Sequence, residues 1–165
     1  MSVSRVPTLH IDNEEYMKQQ VLFLCTGNYY RSRFAEVYFN WLAAKHNVDW
    51  VADSRGLALD GCNYGSISRH TLAYFAKHGI QCESFERFPR PATEVDLTAA
   101  DHIVAVKEAE HRHRFEAKFP AWRDRIEYWQ VHDLDCAEPA DALAHLEREV
   151  RNLVERLAAP QRLSA

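Results

Sequence analysis

The residues whose types and spacing promise chemistry are Cys25 and Arg31, separated by five residues in Cys25-Thr-Gly-Asn-Tyr-Tyr-Arg31-Ser32. A thiolate is a strong nucleophile, and a guanidinium can fork onto two oxygens of a phosphoryl group. Five intervening residues can curl until their backbone N–H groups point inward as a nest for phosphate oxygens. Gly27 and Asn28 tolerate the left-handed backbone that such a curl requires. Arg31 then grips two oxygens while the Cys25 sulfur lies beneath the phosphorus, placed for in-line attack. A free thiol titrating near pH ~8.5 is only about 3% thiolate at pH 7. The loop must therefore stabilise the anion, and the inward amides, Arg31, the Ser32 hydroxyl and a helix N-terminus are the groups that favour it.

The surrounding pattern supplies the elements that hold such a loop. Gln20 to Cys25 reads as a buried strand, and Phe34, Val37, Tyr38, Trp41 and Leu42 recur at helical spacing, with Ser32 expected as N-cap and Asn47 at the stop. Trp50 to Ser54 reads as a second strand, followed by a glycine-containing loop from Arg55 to Gly65 and a helix capped by Ser68 that ends at Gly79. Ile80 to Pro91 reads as irregular, Thr93 to Ala99 as a helical turn or two, and His102 to Val106 as a third strand. The charged stretch from Lys107 to Phe119 is expected as an exposed helix broken by Pro120, with His111 and His113 solvated, and Ile126 to Val131 as a fourth strand. Leu143, Leu146, Val150, Leu153, Val154 and Leu157 form the stripe of a last helix begun by Pro139. Strands alternating with helices predict an α/β three-layer sandwich, its four-stranded parallel sheet covered on both faces and the loop following strand 1.

A chain of 165 residues is expected to form one domain over 20–165, preceded by a polar extension over 1–19. Lys plus Arg is 20 against 24 Asp plus Glu, a net charge of −4, which argues against nucleic acid and anionic membranes as partners. The four cysteines show no CxxC spacing, so neither a disulfide scaffold nor a zinc ribbon is expected, and the longest apolar run, Val21 to Cys25, is too short to span a membrane. The extension lacks the apolar core of a secretory signal, so the expected compartment is the reducing cytoplasm. His132, Asp133, Asp135 and Cys136 have ligand chemistry but no second converging group, and no metal is expected. Trp41, Trp50, Trp122 and Trp129 read as core or near-core aromatics.

Val21-Leu-Phe-Leu-Cys25-Thr-Gly-Asn28-Tyr-Tyr-Arg31-Ser32, followed by Ala35-Glu36, resembles the N-terminal signature of low-molecular-weight protein tyrosine phosphatases, written CxGNxCRSP. Asp53-Ser54, Gly79-Ile80, Leu97 to Ile103 and the strand leading to Asp133 extend the likeness from about Gln20 to Leu157. The resemblance implies two-step hydrolysis of a phosphate ester through a phosphocysteine on Cys25, with neither metal nor cofactor. It also implies that Thr26, Gly27, Asn28, Tyr29, Tyr30 and Ser32 surround the phosphate, and that Ser54 holds Asn28 left-handed. Departure of an alkoxide or phenolate needs a proton donor, and Asp133 falls on the family's acid position, with Asp135 the alternative. Phosphorylated protein or a small phosphate ester is the implied partner, and a monomer or weak dimer the implied state.

The sequence departs from the family pattern at several places. Tyr30 replaces the loop's second cysteine, Arg33 replaces the proline after Ser32, and Leu134-Asp135 replace a proline and an aromatic beside the acid. Tyr29 and Tyr64 are the candidate replacement walls for a substrate ring, and Arg55 in the second loop suggests a rearranged turn. An arsenate reductase of the same fold needs a cysteine pair after the third strand, and Val106 to Glu110 has none. A phosphate-binding regulatory module without turnover is the rival from another class.

Overall fold

The structure, a computed structural model, describes residues 17–61, 63, 65–81, 87–133 and 137–159. Strand β1 (Gln19–Cys25) lies inside the sheet, with its last five residues all buried. It pairs in parallel with β2 (Trp50–Gly56) along its whole length on one side and with β3 (His102–Ala105) on the other. A short β4 (Glu127–Tyr128) adds to β3, giving the order β2-β1-β3-β4. Successive side chains of a strand point to opposite faces, so β1 feeds two cores. Val21, Phe23 and Cys25 join Phe34, Tyr38, Phe75, Leu146 and Val150 from α1 (Arg31–Lys45), α2 (Arg69–Lys77) and α5 (Pro139–Ala158). Leu22 and Leu24 join Leu97, Phe115 and Phe119 around α3 (Glu94–Ala99) and α4 (Glu108–Lys118). Full burial of each such aliphatic side chain stabilises the fold by roughly 1.5–3 kcal/mol, which makes β1 the most firmly held strand and its end a rigid base for the loop.

Several boundaries differ from the sequence reading. Ser32 is not the N-cap of α1: Tyr30 occupies that place without a side-chain cap bond, because the Ser32 hydroxyl is turned back toward Cys25 and Asn28. The irregular stop near Asn47 is as expected, with Asn47 itself at φ +52. Strand β2 continues through Arg55 and Gly56, two residues assigned to the loop from sequence. Gly56 is required there, since a Cβ would lie 2.8 Å from the Thr26 carbonyl oxygen. Arg55 is folded into this edge by ion pairs to Asp53 at 2.7 Å and Asp96 at 3.0 Å. Strand β4 is only two residues long, the chain then meeting Lys107 through an isolated antiparallel bridge at Gln130.

The main correction concerns α4. His111, read from sequence as solvated, is fully buried, and Phe115 one turn later is buried with it. A charged helix still needs one inward stripe, and positions four apart share it. Among the described residues, no helix is long and apolar enough to cross a membrane.

Candidate active site

The residues after β1 curl back toward the end of their own strand. The Cys25 sulfur, 3% exposed, accepts the Asn28 backbone N–H at 3.2 Å and lies 2.9 Å from the Ser32 hydroxyl. Asn28 Nδ2 donates into the same Ser32 oxygen at 3.0 Å. The Asn28 N–H and the Ser32 hydroxyl thus both meet the sulfur.

Asn28 has φ +51, a conformation costly for most residues, and the surrounding bonds hold it there. Its Nδ2 donates to Ser54 Oγ at 2.9 Å, and its Oδ1 accepts from Arg87 Nη1 and the Arg90 backbone, each at 3.0 Å. Arg87 also reaches Ser54 and Glu36 at 2.9 Å, and the Ser54 hydroxyl donates to Glu36. Arg33 is buried and pairs with Glu36 at 2.8 Å, so the charge that replaces the family's proline is absorbed by this network. Asn28, Ser32 and Ser54 are completely buried behind the loop, where their side chains fix its shape.

Cys25, Thr26, Gly27, Tyr29, Tyr30, Arg31 and Asp133 line one cavity of about 380 Å³, joined by Asp60, Asn63, Ser68 and Glu110. Arg31 is 2% exposed and makes four bonds through its terminal nitrogens. Nη2 and Nη1 meet the two oxygens of Glu110 at 2.8 and 3.0 Å, Nη1 donates to the Val131 carbonyl at 3.2 Å, and Nη2 donates to Asp133 at 3.0 Å. Burial alone would weaken the guanidinium's hold on its proton, but Glu110, Cys25 and Asp133 reverse that and raise it further.

Glu110 was not singled out from sequence. Burial opposes its ionisation, yet hydrogen bonds from His111, Arg31 and Thr26 hold its carboxyl far below the usual range. The Thr26 hydroxyl, expected to face substrate, donates to Glu110 Oε1 at 2.6 Å. His111 Nδ1 accepts the Lys107 N–H at 3.1 Å, so the neutral ring carries its proton on Nε2, 3.2 Å from Thr26 Oγ1 and 3.3 Å from Glu110. Burial lowers the proton affinity of His111 and keeps it neutral.

Burial, reinforced by the charge of Asp133, pushes the Tyr30 phenol up to about 12, and its hydroxyl has no hydrogen-bonding partner among the described residues. Tyr64, Asp135 and the cysteines at 62, 82 and 136 lie outside the described residues, and among those described no cluster of three metal-ligating side chains occurs.

Comparison with known proteins supports the same reading. A family model described as low molecular weight phosphotyrosine protein phosphatase matches residues 20–162. The chain is 25% identical over 142 residues to a protein-arginine-phosphatase of Bacillus subtilis, an alignment covering 83% of this chain and 90% of the relative. It is 33% identical over 101 residues to the low molecular weight phosphotyrosine protein phosphatase of Sus scrofa, covering 59% of this chain and 61% of the porcine protein. The crystal structure of YfkJ from Bacillus subtilis superposes with a TM-score of 0.73 at 25% identity, over 86% of this chain and 95% of that one. Loop, sheet order and family match agree: the chain belongs to the low molecular weight phosphotyrosine protein phosphatase family.

Proposed function

We propose that the protein hydrolyses phosphomonoesters through a phosphocysteine on Cys25, with phosphotyrosine in proteins as the leading substrate. The observation that carries the reading is the sulfur at the base of the cavity, faced by the Asn28 N–H and the Ser32 hydroxyl, with Arg31 and Asp133 lining the same cavity. The Cys25 thiolate attacks phosphorus in line with the departing oxygen. As the S–P bond forms and the P–O bond breaks, the electron pair goes to the leaving oxygen and Asp133 supplies its proton. The resulting Asp133 carboxylate then takes a proton from water, whose oxygen attacks phosphorus and returns the S–P electron pair to Cys25. Arg31 and the loop amides offset the equatorial charge in both steps. Thr26, Gly27, Tyr29 and Tyr30 form the rest of the substrate pocket, while Asn28, Ser32 and Ser54 maintain its shape. This chemistry suits the cytoplasm, where thiols stay reduced.

A second reading, phosphoarginine in proteins, is favoured by the name of the Bacillus subtilis relative and by the Asp133 carboxylate in the cavity, which suits a cationic leaving group. Hydrolysis of phosphotyrosine and phosphoarginine peptides and of a small aryl phosphate by wild type and Cys25→Ser decides the matter. Turnover by wild type alone supports the enzyme reading, the preferred peptide names the substrate, and binding without any turnover contradicts catalysis.

A further inference from the structure

Arg31 carries five N–H hydrogens, and the four bonds described all use its two terminal nitrogens. Glu110 takes one hydrogen from each, spanning the end of the guanidinium with two parallel bonds of 2.8 and 3.0 Å. The second hydrogen of Nη1 goes to Val131 at 3.2 Å, and the second hydrogen of Nη2 goes to Asp133 at 3.0 Å. Planarity leaves one other edge able to offer two parallel N–H groups, that formed by Nε and Nη2. We propose that Arg31 is a divided receptor: Glu110 is the positioning residue that permanently holds its Nη1/Nη2 edge, and a phosphoryl group takes the Nε/Nη2 edge by displacing Asp133.

The two carboxylates differ in how firmly they hold Arg31. Glu110 has the Thr26 hydroxyl at 2.6 Å and His111 Nε2 at 3.3 Å besides both guanidinium bonds. Asp133 gives Arg31 a single bond and is 39% exposed, against 28% for Glu110. An incoming dianion therefore replaces the carboxylate that meets Arg31 through one bond rather than two. The exchange releases Asp133 from Arg31 as the phosphoryl group arrives, next to the oxygen it must protonate. This rests on the phosphatase reading above, because it takes Arg31 as the phosphate seat.

The test is calorimetric titration with inorganic phosphate of wild type, Asp133→Asn, Asp60→Asn, Glu110→Gln and Glu110→Asp. Asp133→Asn should bind phosphate about tenfold more tightly, since the competitor for Nη2 is weakened. Asp60 lines the same cavity, and its neutralisation should tighten binding by less than about threefold, the general charge effect. Glu110→Gln removes a negative charge and yet should weaken phosphate binding about tenfold, opposite to the sign expected from charge alone. Glu110→Asp keeps the charge and shortens the side chain, and should also weaken binding; it decides the point alone if Glu110→Gln does not fold. Phosphate affinity unchanged or weaker in Asp133→Asn, or unchanged or tighter in the Glu110 variants, overturns the proposal. Loss of Cys25-dependent aryl phosphate turnover in the wild type is a separate failure, that of the phosphatase reading itself.

Discussion

Asn28 Nδ2 and Ser54 Oγ meet at 2.9 Å, 26 residues apart in the chain, and this bond clamps the loop residue whose φ is +51. The curl that aims the Asn28 N–H at the Cys25 sulfur is thus maintained by a side chain of the neighbouring strand.

Ser54→Ala removes that clamp and leaves the buried Asn28, Arg87 and Glu36 each short of a partner. Stability should fall by about 1–3 kcal/mol in urea unfolding. Turnover of an aryl phosphate should fall about tenfold or more under conditions where the variant remains folded, because the loop loses its shape before the fold is lost. Unchanged turnover would show that the loop holds its curl without Ser54.

Asp133→Ala should slow aryl phosphates in proportion to the basicity of the leaving phenol. The loss should reach about 10²–10⁴-fold for the most basic phenols and be small for the most acidic, which depart without a proton. A uniform loss across the series would assign Asp133 another role.

His111 and Glu127 act on different parts of the acid side of the stability curve. Burial holds His111 below its usual range, so its contribution is complete above the unfolded value of about 6.5 and declines as pH falls below it. The hydrogen bond from His102 leads the causes that bring Glu127 down to about 2, so its contribution is complete above 4.5 and is lost between there and about 2. After discounting for solvent, the Glu127 limb amounts to about 1 kcal/mol. Urea unfolding across pH should show the decline below 6.5 reduced in His111→Gln, and the decline below 4.5 reduced by about 1 kcal/mol in Glu127→Gln, with Glu110 still carrying its own share of that lower decline.

What the sequence made readable was local. Cys25, Asn28, Arg31 and Ser32 lie within one turn of chain, and their spacing alone specifies a curl and a helix start. The α5 stripe and the Ser68 cap were legible for the same reason, since period and cap chemistry act over a few residues. The partners of that loop were not. Glu110 lies 79 residues from Arg31, and Arg87 lies 59 from Asn28 in a stretch without period, so only the fold brings either to its site. His111 could have been found from Phe115, four residues on, whose burial requires a helix face that His111 shares. The charge of the other residues on α4 hid that stripe. Ser32 misled because Ser at a helix start is usually a cap, whereas here a sulfur and an amide compete for its hydroxyl and win.

The central claim is that the Cys25 sulfur becomes bonded to phosphorus. Acid quench of the Asp133→Ala variant during turnover of an activated aryl phosphate, followed by intact and peptide mass spectrometry, reads this bond directly. The account predicts one added phosphoryl group on the peptide bearing Cys25, absent from a Cys25→Ser, Asp133→Ala double variant and lost on return to turnover conditions without substrate. Sustained turnover by a protein whose Cys25 never carries phosphate would contradict it.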